Sequence, residues 1–149
     1  MTSLLFSKQA HSFKTNQGRV SATQKGIQMA KNDWLLFVRS NLTLNSNTIY
    51  EYLKSSRLVS PVAFMGQIIY NSSDEVFANY LNSNKRGINP YKHLADVHFK
   101  YLLFGNCLIH SKVFKNIQLN HSLKYYGGEE LDFASKLEKK FPKMMTAQE

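Results

Sequence analysis

Glu129 and Glu130 stand side by side in KYYGGEELDFASKLEKK, residues 124–140, directly after two tyrosines and two glycines. A carboxylate held at the edge of a core, next to backbone that a ligand can approach, is what a general base needs to take a proton from a hydroxyl. Gly127 and Gly128 permit that approach, because glycine reaches backbone torsions closed to other residues. The same pattern has a purely structural reading of equal weight, since acids are favoured at a helix N-terminus by the macrodipole. Leu131, Ala134 and Leu137 recur at helical spacing and are expected to pin the helix to the core. The other reactive residue types carry less. His11, His93, His98, His110 and His121 show no metal-ligand spacing with Cys107, so they point to no metal centre. Asp96 and His98 could touch an acceptor, and Lys124 or the pair Lys85-Arg86 could meet phosphate or a lipid headgroup, but ordinary solvated polarity explains them as well. Tyr125 and Tyr126 could stack on a sugar ring or simply pack before the helix.

The elements that must position these residues read as an alternation. Val20, Thr23, Ile27 and Ala30 give a helix between Gly18 and Lys31. WLLFV, Trp34 to Val38, is a continuous apolar run of the kind buried on both faces of a sheet. Asn45, Ser46 or Asn47 can cap a helix carrying Ile49, Tyr52 and Leu53, with Pro61 at the expected distance beyond it. VAFMGQIIY, Val62 to Tyr70, is a second strand in which Gly66 marks a bulge or close approach. DEVFANYL is a weaker helical candidate. NSNKRGINPYKHLADVHFK reads as a long connection. YLLFGNCLI, Tyr101 to Ile109, is a third strand, after which Ser111 can cap the short helix KVFKNI. The order predicts an α/β domain, a mixed sheet flanked by helices.

At 149 residues and 17.2 kDa the chain fits one domain, residues 1–149. Hydrophobic residues at 43%, with 13% aromatics, argue against disorder. No apolar stretch approaches the roughly 18 residues of a membrane span, and the apolar stretch at the N-terminus is too short for a secretory signal. A single cysteine allows no internal disulfide, which fits a reducing, cytoplasmic location. The net charge of +9 and pI near 9.7 attract polyanions, anionic lipid surfaces or phosphorylated ligands. Residues 1–31 hold Lys8, Lys14, Arg19, Lys25 and Lys31 with no acid. No aromatic-rich basic recognition motif accompanies them, so nucleic acid is the weakest of the candidate partners.

Three stretches in order carry a resemblance. NQGRVSATQKGIQMAKNDWLLFVRSN, SPVAFMGQIIY, and LLFGNCLIHSKVFKNIQLNHSLKYYGGEELDFASKLEKK together resemble the inverting, nucleotide-sugar-dependent glycosyltransferases of family two over most of residues 16–140. The last stretch is the most specific, being similar to the family's "YGGED" turn and helix. The resemblance implies a GT-A-like, Rossmann-like fold that lacks the first strand-helix units, since nothing before residue 16 corresponds to them. It implies Glu130 as the base that deprotonates the acceptor, with Glu129 beside it and Glu where the family most often has Asp. It implies Asn106 on the acceptor side, and Tyr126, Gly127 and Gly128 around the sugar pocket. The family's Asp-x-Asp, which holds Mg²⁺ or Mn²⁺ against the diphosphate, falls here on Arg39, Ser40 and Asn41. Asn41 is at most a single neutral ligand, so the resemblance implies a lost metal site, with Arg39 neutralising diphosphate as the alternative. The implied partners are a nucleotide-sugar and a glycan or lipid-linked acceptor in cell-envelope or polysaccharide assembly, at the inner membrane surface. The competing expectations are a non-catalytic binding module of the same fold and, third, a small basic nucleic-acid-binding protein; a second copy or partner chain is expected to cover the shortened sheet.

Overall fold

The computed structural model describes residues 10–123 and 127–147. Helix α1 spans Gly18–Met29, strand β1 Trp34–Val38, α2 Thr48–Leu58, β2 Ala63–Gly66, α3 Glu75–Leu81, β3 Asp96–Val97, β4 Asn106–His110, α4 Glu129–Glu138 and β5 Met144–Ala147. Short 3₁₀ turns cover Phe99–Tyr101 and Ser111–Lys115. Among the described residues five strands form one open mixed sheet in the order β1-β4-β2-β5-β3. Only β2 and β5 run parallel, and the other three neighbouring pairs are antiparallel.

The alternation of side chains along the strands divides the core into two layers. Ala63, Met65, Cys107, Ile109 and Met144 face the layer filled by Val20 of α1 and by Phe133, Ala134 and Leu137 of α4. Phe64, Leu108 and Met145 face the layer filled by Tyr52 of α2. Helices therefore cover both faces of the sheet, as the α/β reading predicts. Among the described residues no helix is long and apolar enough to cross a membrane.

Several local expectations are corrected. The apolar run of β1 is not buried on both faces: among the described residues β1 is an edge strand paired only with β4, and its five residues are half-buried or exposed. The second strand ends at Gly66 and the third begins at Asn106, because residues 67–70 leave the sheet and residues 99–101 close a 3₁₀ turn instead. The segment after β4 is also 3₁₀, and it is capped by His110, whose Nδ1 accepts from the Lys112 N–H at 3.1 Å, rather than by Ser111. In α4 the inward stripe is Glu130, Phe133, Ala134 and Leu137, while Leu131 is 58% exposed. At 100° per residue, Leu131 lies off the stripe that Phe133, Ala134 and Leu137 define, and Glu130 lies on it. The hydrophobic packing of α4 thus turns the second glutamate inward.

Gly66 is a close-approach point. A Cβ there would lie 2.3 Å from the Tyr52 Oη and 2.5 Å from the Asn106 Nδ2, so only glycine fits beneath that pair. Tyr52 Oη donates to the Asn106 carbonyl at 2.9 Å and reaches its Oδ1 at 3.0 Å, while Asn106 Nδ2 donates to the Gln67 carbonyl at 2.9 Å. Polar groups of α2 and β4 and the backbone just after β2 are tied into one network, and its buried members can be held in a close-packed core only if each is paired.

Candidate functional site

Four charged side chains from three separate segments meet at one end of β1. Arg19 is placed by the turn before α1: Asn16 Oδ1 accepts from the Gly18 N–H at 2.8 Å, and Gly18 takes φ +80°, which favours glycine. Arg39 follows β1 directly, its N–H donating to the Gly105 carbonyl at 3.1 Å. Its side chain runs over Gly105, where a Cβ would lie 3.7 Å from Arg39 Cδ. Glu129 and Glu130 open α4, and the backbone that delivers them needs both preceding glycines. Gly127 has φ +103° and Gly128 φ +86°, and a Cβ at either would meet nothing within 4 Å. The demand at both positions is therefore conformational rather than steric.

Glu130 is buried, at 8% exposure, and is heavily engaged. Its Oε1 accepts from the Phe104 N–H at 2.9 Å. Arg39 Nη2 donates to Oε1 at 3.2 Å and to Oε2 at 3.4 Å, and Arg19 Nη2 lies 3.7 Å from Oε1. Glu129 is buried more deeply, at 4%, and forms an ion pair with Arg19. Among the described residues neither Glu129 oxygen makes an aligned hydrogen bond, so charge neutralisation by Arg19 is what the structure offers it. Two guanidiniums thus balance two carboxylates. Cys107 lies close enough that the Glu130 charge adds to burial in pushing its thiol well above the ordinary range. Burial likewise raises the Tyr52 hydroxyl.

This cluster closes one end of a groove of about 920 Å³ that runs between α1 and β1. Arg19, Thr23, Ile27 and Ala30 line one wall, Trp34 to Val38 the other, and Arg39, Ser40, Asn41, Phe104 and Glu130 the end. The volume is that of a small-molecule site. Backbone direction explains why this wall is open. In the antiparallel pairing with β4, Arg39 N–H bonds to the Gly105 carbonyl and the Asp33 carbonyl accepts from Ser111 N–H, so odd-numbered residues face β4. The N–H and C=O groups of Trp34, Leu36 and Val38 consequently point away from the sheet, toward its free edge.

The residues singled out by sequence divide accordingly. Arg39, Ser40, Asn41 and Glu130 meet in the groove, and Glu129 adjoins them through Arg19. Asn106 does not line the groove, since its side chain is consumed by Tyr52 and Gln67. Gly127 and Gly128 are exposed beside the α4 N-terminus, and Tyr126, with Lys124 and Tyr125, lies outside the described residues. Asp96 pairs with Lys143 at 3.5 Å and His98 with Glu138 at 3.0 Å, both away from the groove lining. Nothing in the sequence reading singles out Arg19 or Phe104 as part of the site. Arg19 carried one usable signal, a cation following an Asn-Gln-Gly turn, whereas a backbone N–H such as that of Phe104 carries none.

Arg39, Ser40 and Asn41 do not fit a divalent cation. They offer a guanidinium, a hydroxyl and an amide, and the carboxylate that lines the groove with them, Glu130, is already paired. Among the described residues no group of three or more His, Cys, Asp or Glu side chains gathers in a way that could hold a metal ion. No family model matches the chain, and no curated protein matches it.

Proposed function

We propose that this chain is a GT-A-like domain of the family-two glycosyltransferase type, which binds a nucleotide-sugar and transfers the sugar with inversion to a glycan or lipid-linked acceptor. The observation that carries the reading is the contact between Arg39 and Glu130, 91 residues apart in sequence and 3.2 Å apart in space, at the end of a groove of ligand size. The resemblance assigns Arg39 to the diphosphate-facing position and Glu130 to the base, and the fold sets those two positions side by side. A guanidinium is suited to the leaving group because its planar fork pairs with phosphate oxygens and its charge is independent of pH.

In this reading the Arg39–Glu130 pair is the resting state of the site. A donor diphosphate competes with Glu130 for Arg39, so donor binding frees the carboxylate at the moment it is needed. The acceptor hydroxyl oxygen then bonds to the anomeric carbon, the bond from that carbon to the diphosphate oxygen breaks, and Glu130 takes the hydroxyl proton. Glu129 holds Arg19 in place beside the base. No step is routed through a metal ion, because the residues present do not suit one.

A second reading, a glycan-binding module without turnover, is favoured by the same contact. Both Glu130 oxygens are engaged with Arg39, and Oε1 also accepts from Phe104. Nucleoside diphosphate release from UDP- and GDP-sugars, measured for the wild-type chain and Glu130→Gln, separates the two. Release that falls at least about 100-fold in the variant supports the transferase. Equal background release from both proteins removes it and leaves the binding module.

A further inference from the structure

Helix α3 buries little: Ala78 and Leu81 are half-buried and its other residues are exposed. None of its seven residues is buried, and Val76, Phe77 and Tyr80 are 81%, 51% and 58% exposed. So short a helix is marginal in water on propensity alone and ordinarily depends on packing of an apolar face. Its local supports are an Asp74 cap, whose Oδ1 accepts from the Phe77 N–H at 3.0 Å, and the Asn82 amide, whose Oδ1 accepts from the Tyr70 N–H and whose Nδ2 donates to the Tyr70 carbonyl, both at 2.8 Å. The second tie fastens α3 to the segment after β2, where Ile69 and Tyr70 are also exposed, at 67% and 38%. Two aliphatic and three aromatic side chains are thereby presented to solvent from one local unit, outside the groove described above.

The charges of this unit are ordered. Its acids, Asp74 and Glu75, sit at the N-terminal end of α3, where the cap and the macrodipole account for them. Its cations, Lys85 and Arg86, follow the C-terminal end, and the Arg86 guanidinium lies over the Tyr80 ring with its carbon 4.2 Å from the centroid. Arg86 and Tyr80 therefore form a joined cationic and aromatic edge to the apolar patch. The whole chain adds a net charge of +9, which draws it toward negative surfaces. Phenylalanine, tyrosine and exposed aliphatics flanked by Lys and Arg are the chemistry of the bilayer interface, where rings sit at headgroup level and cations meet anionic lipid.

We infer that α3 and the Ile69–Tyr70 segment form an attachment surface for an anionic lipid bilayer, with Val76 and Phe77 entering the interface and Lys85 and Arg86 contacting the headgroups. The inference is independent of the transferase reading, because no residue of the patch lines the α1–β1 groove.

Co-sedimentation of the full chain with vesicles tests it, using phosphatidylcholine alone and phosphatidylcholine mixed with phosphatidylserine. The expected result is binding to the anionic vesicles that weakens with added salt and is much reduced on the neutral ones. One cation near an anionic surface changes partitioning about fivefold, so K85Q with R86Q should weaken binding about 20- to 30-fold. V76S with F77S should remove it, while both double variants melt like wild type because none of these four residues is buried. No sedimentation with anionic vesicles overturns the inference. So does binding that survives V76S with F77S, or a stable dimer in light scattering that those two substitutions dissociate in the absence of lipid.

Discussion

Replacing Arg39 and Asn41 together by aspartate probes what the guanidinium does in the site. Arg39 donates to both oxygens of Glu130, whose side chain is 11% exposed while that of Arg39 is 37% exposed. Breaking a fully buried ion pair costs about 3–5 kcal/mol, and exposed pairs are worth about 0–1 kcal/mol. One buried and one half-exposed partner place this pair between those limits, at about 1–3 kcal/mol after solvent screening. A carboxylate introduced at position 39 adds repulsion against Glu130 of about 1 kcal/mol. The double variant should therefore lose about 2–4 kcal/mol, and at about 2–4 °C per kcal/mol for a chain of this size its melting temperature should fall by about 4–16 °C. Mn²⁺ reverses the sign of the interaction, because the substituted site offers three neighbouring oxygen-bearing side chains where the native one offers a cation. At a metal concentration 100 times Kd, linkage returns about 2.7 kcal/mol. Calorimetric melts of wild type and variant, each in EDTA and in MnCl₂, read both effects. A variant that melts with wild type in EDTA would refute the energetic role of the pair. A variant destabilised as expected but shifted by Mn²⁺ no more than wild type would refute the assignment of position 39 to the diphosphate side of the site.

Three further outcomes follow from the core. Gly66→Ala forces a methyl group to 2.3 Å from the Tyr52 Oη, so overpacking of about 1–3 kcal/mol plus a broken hydrogen bond of about 1 kcal/mol should lower the urea midpoint with the m-value unchanged. Cys107 is fully buried and its thiol is held protonated, first by burial and then by the Glu130 charge, so a disulfide-exchange reagent should label it only when the chain unfolds. Labelling of the native chain as fast as of free cysteine would contradict that placement. His110 is pushed below its ordinary value, first by burial and then by Lys112. The folded state then binds the proton less readily than the unfolded state, so the stability His110 contributes is complete above the unfolded value near 6.5 and declines as pH falls below it. Stability measured between pH 7 and pH 5 should drop more steeply for wild type than for His110→Asn, which keeps a side-chain acceptor for the Lys112 N–H; parallel profiles would exclude the effect.

The fold was legible where hydrophobic runs are long and failed where tertiary context sets the boundary. WLLFV, VAFMGQIIY and YLLFGNCLI were recognisable as strand-bearing because each concentrates apolar residues between polar breaks, although the strands themselves occupy only AFMG and NCLIH of the last two. The edge position of β1 was not, since five consecutive apolar residues read alike whether the second face meets a helix or an open groove. Strand β5 lies between β2 and β3 with all four residues buried, yet Met144–Ala147 is too short to show a period. Strand β3 is only two residues long and sits inside what reads as a loop. In the site, Glu129, Glu130 and Arg39 were visible as charges beside glycines and at a strand end. Their meeting was not, because no local rule joins residues 39 and 130. The ties to Arg19 and to the Phe104 N–H come from chain packing alone.

The central claim is that the groove end built by Arg39 and Glu130 receives the diphosphate of a sugar nucleotide. Thermal melts of the wild-type chain with UDP, GDP and their common sugars, repeated with Arg39→Ala, test it most directly. The account predicts that one nucleotide raises the melting temperature of wild type and that the same nucleotide leaves Arg39→Ala unshifted. A cooperative wild-type melt that no nucleotide moves, or an equal shift in both proteins, would contradict it.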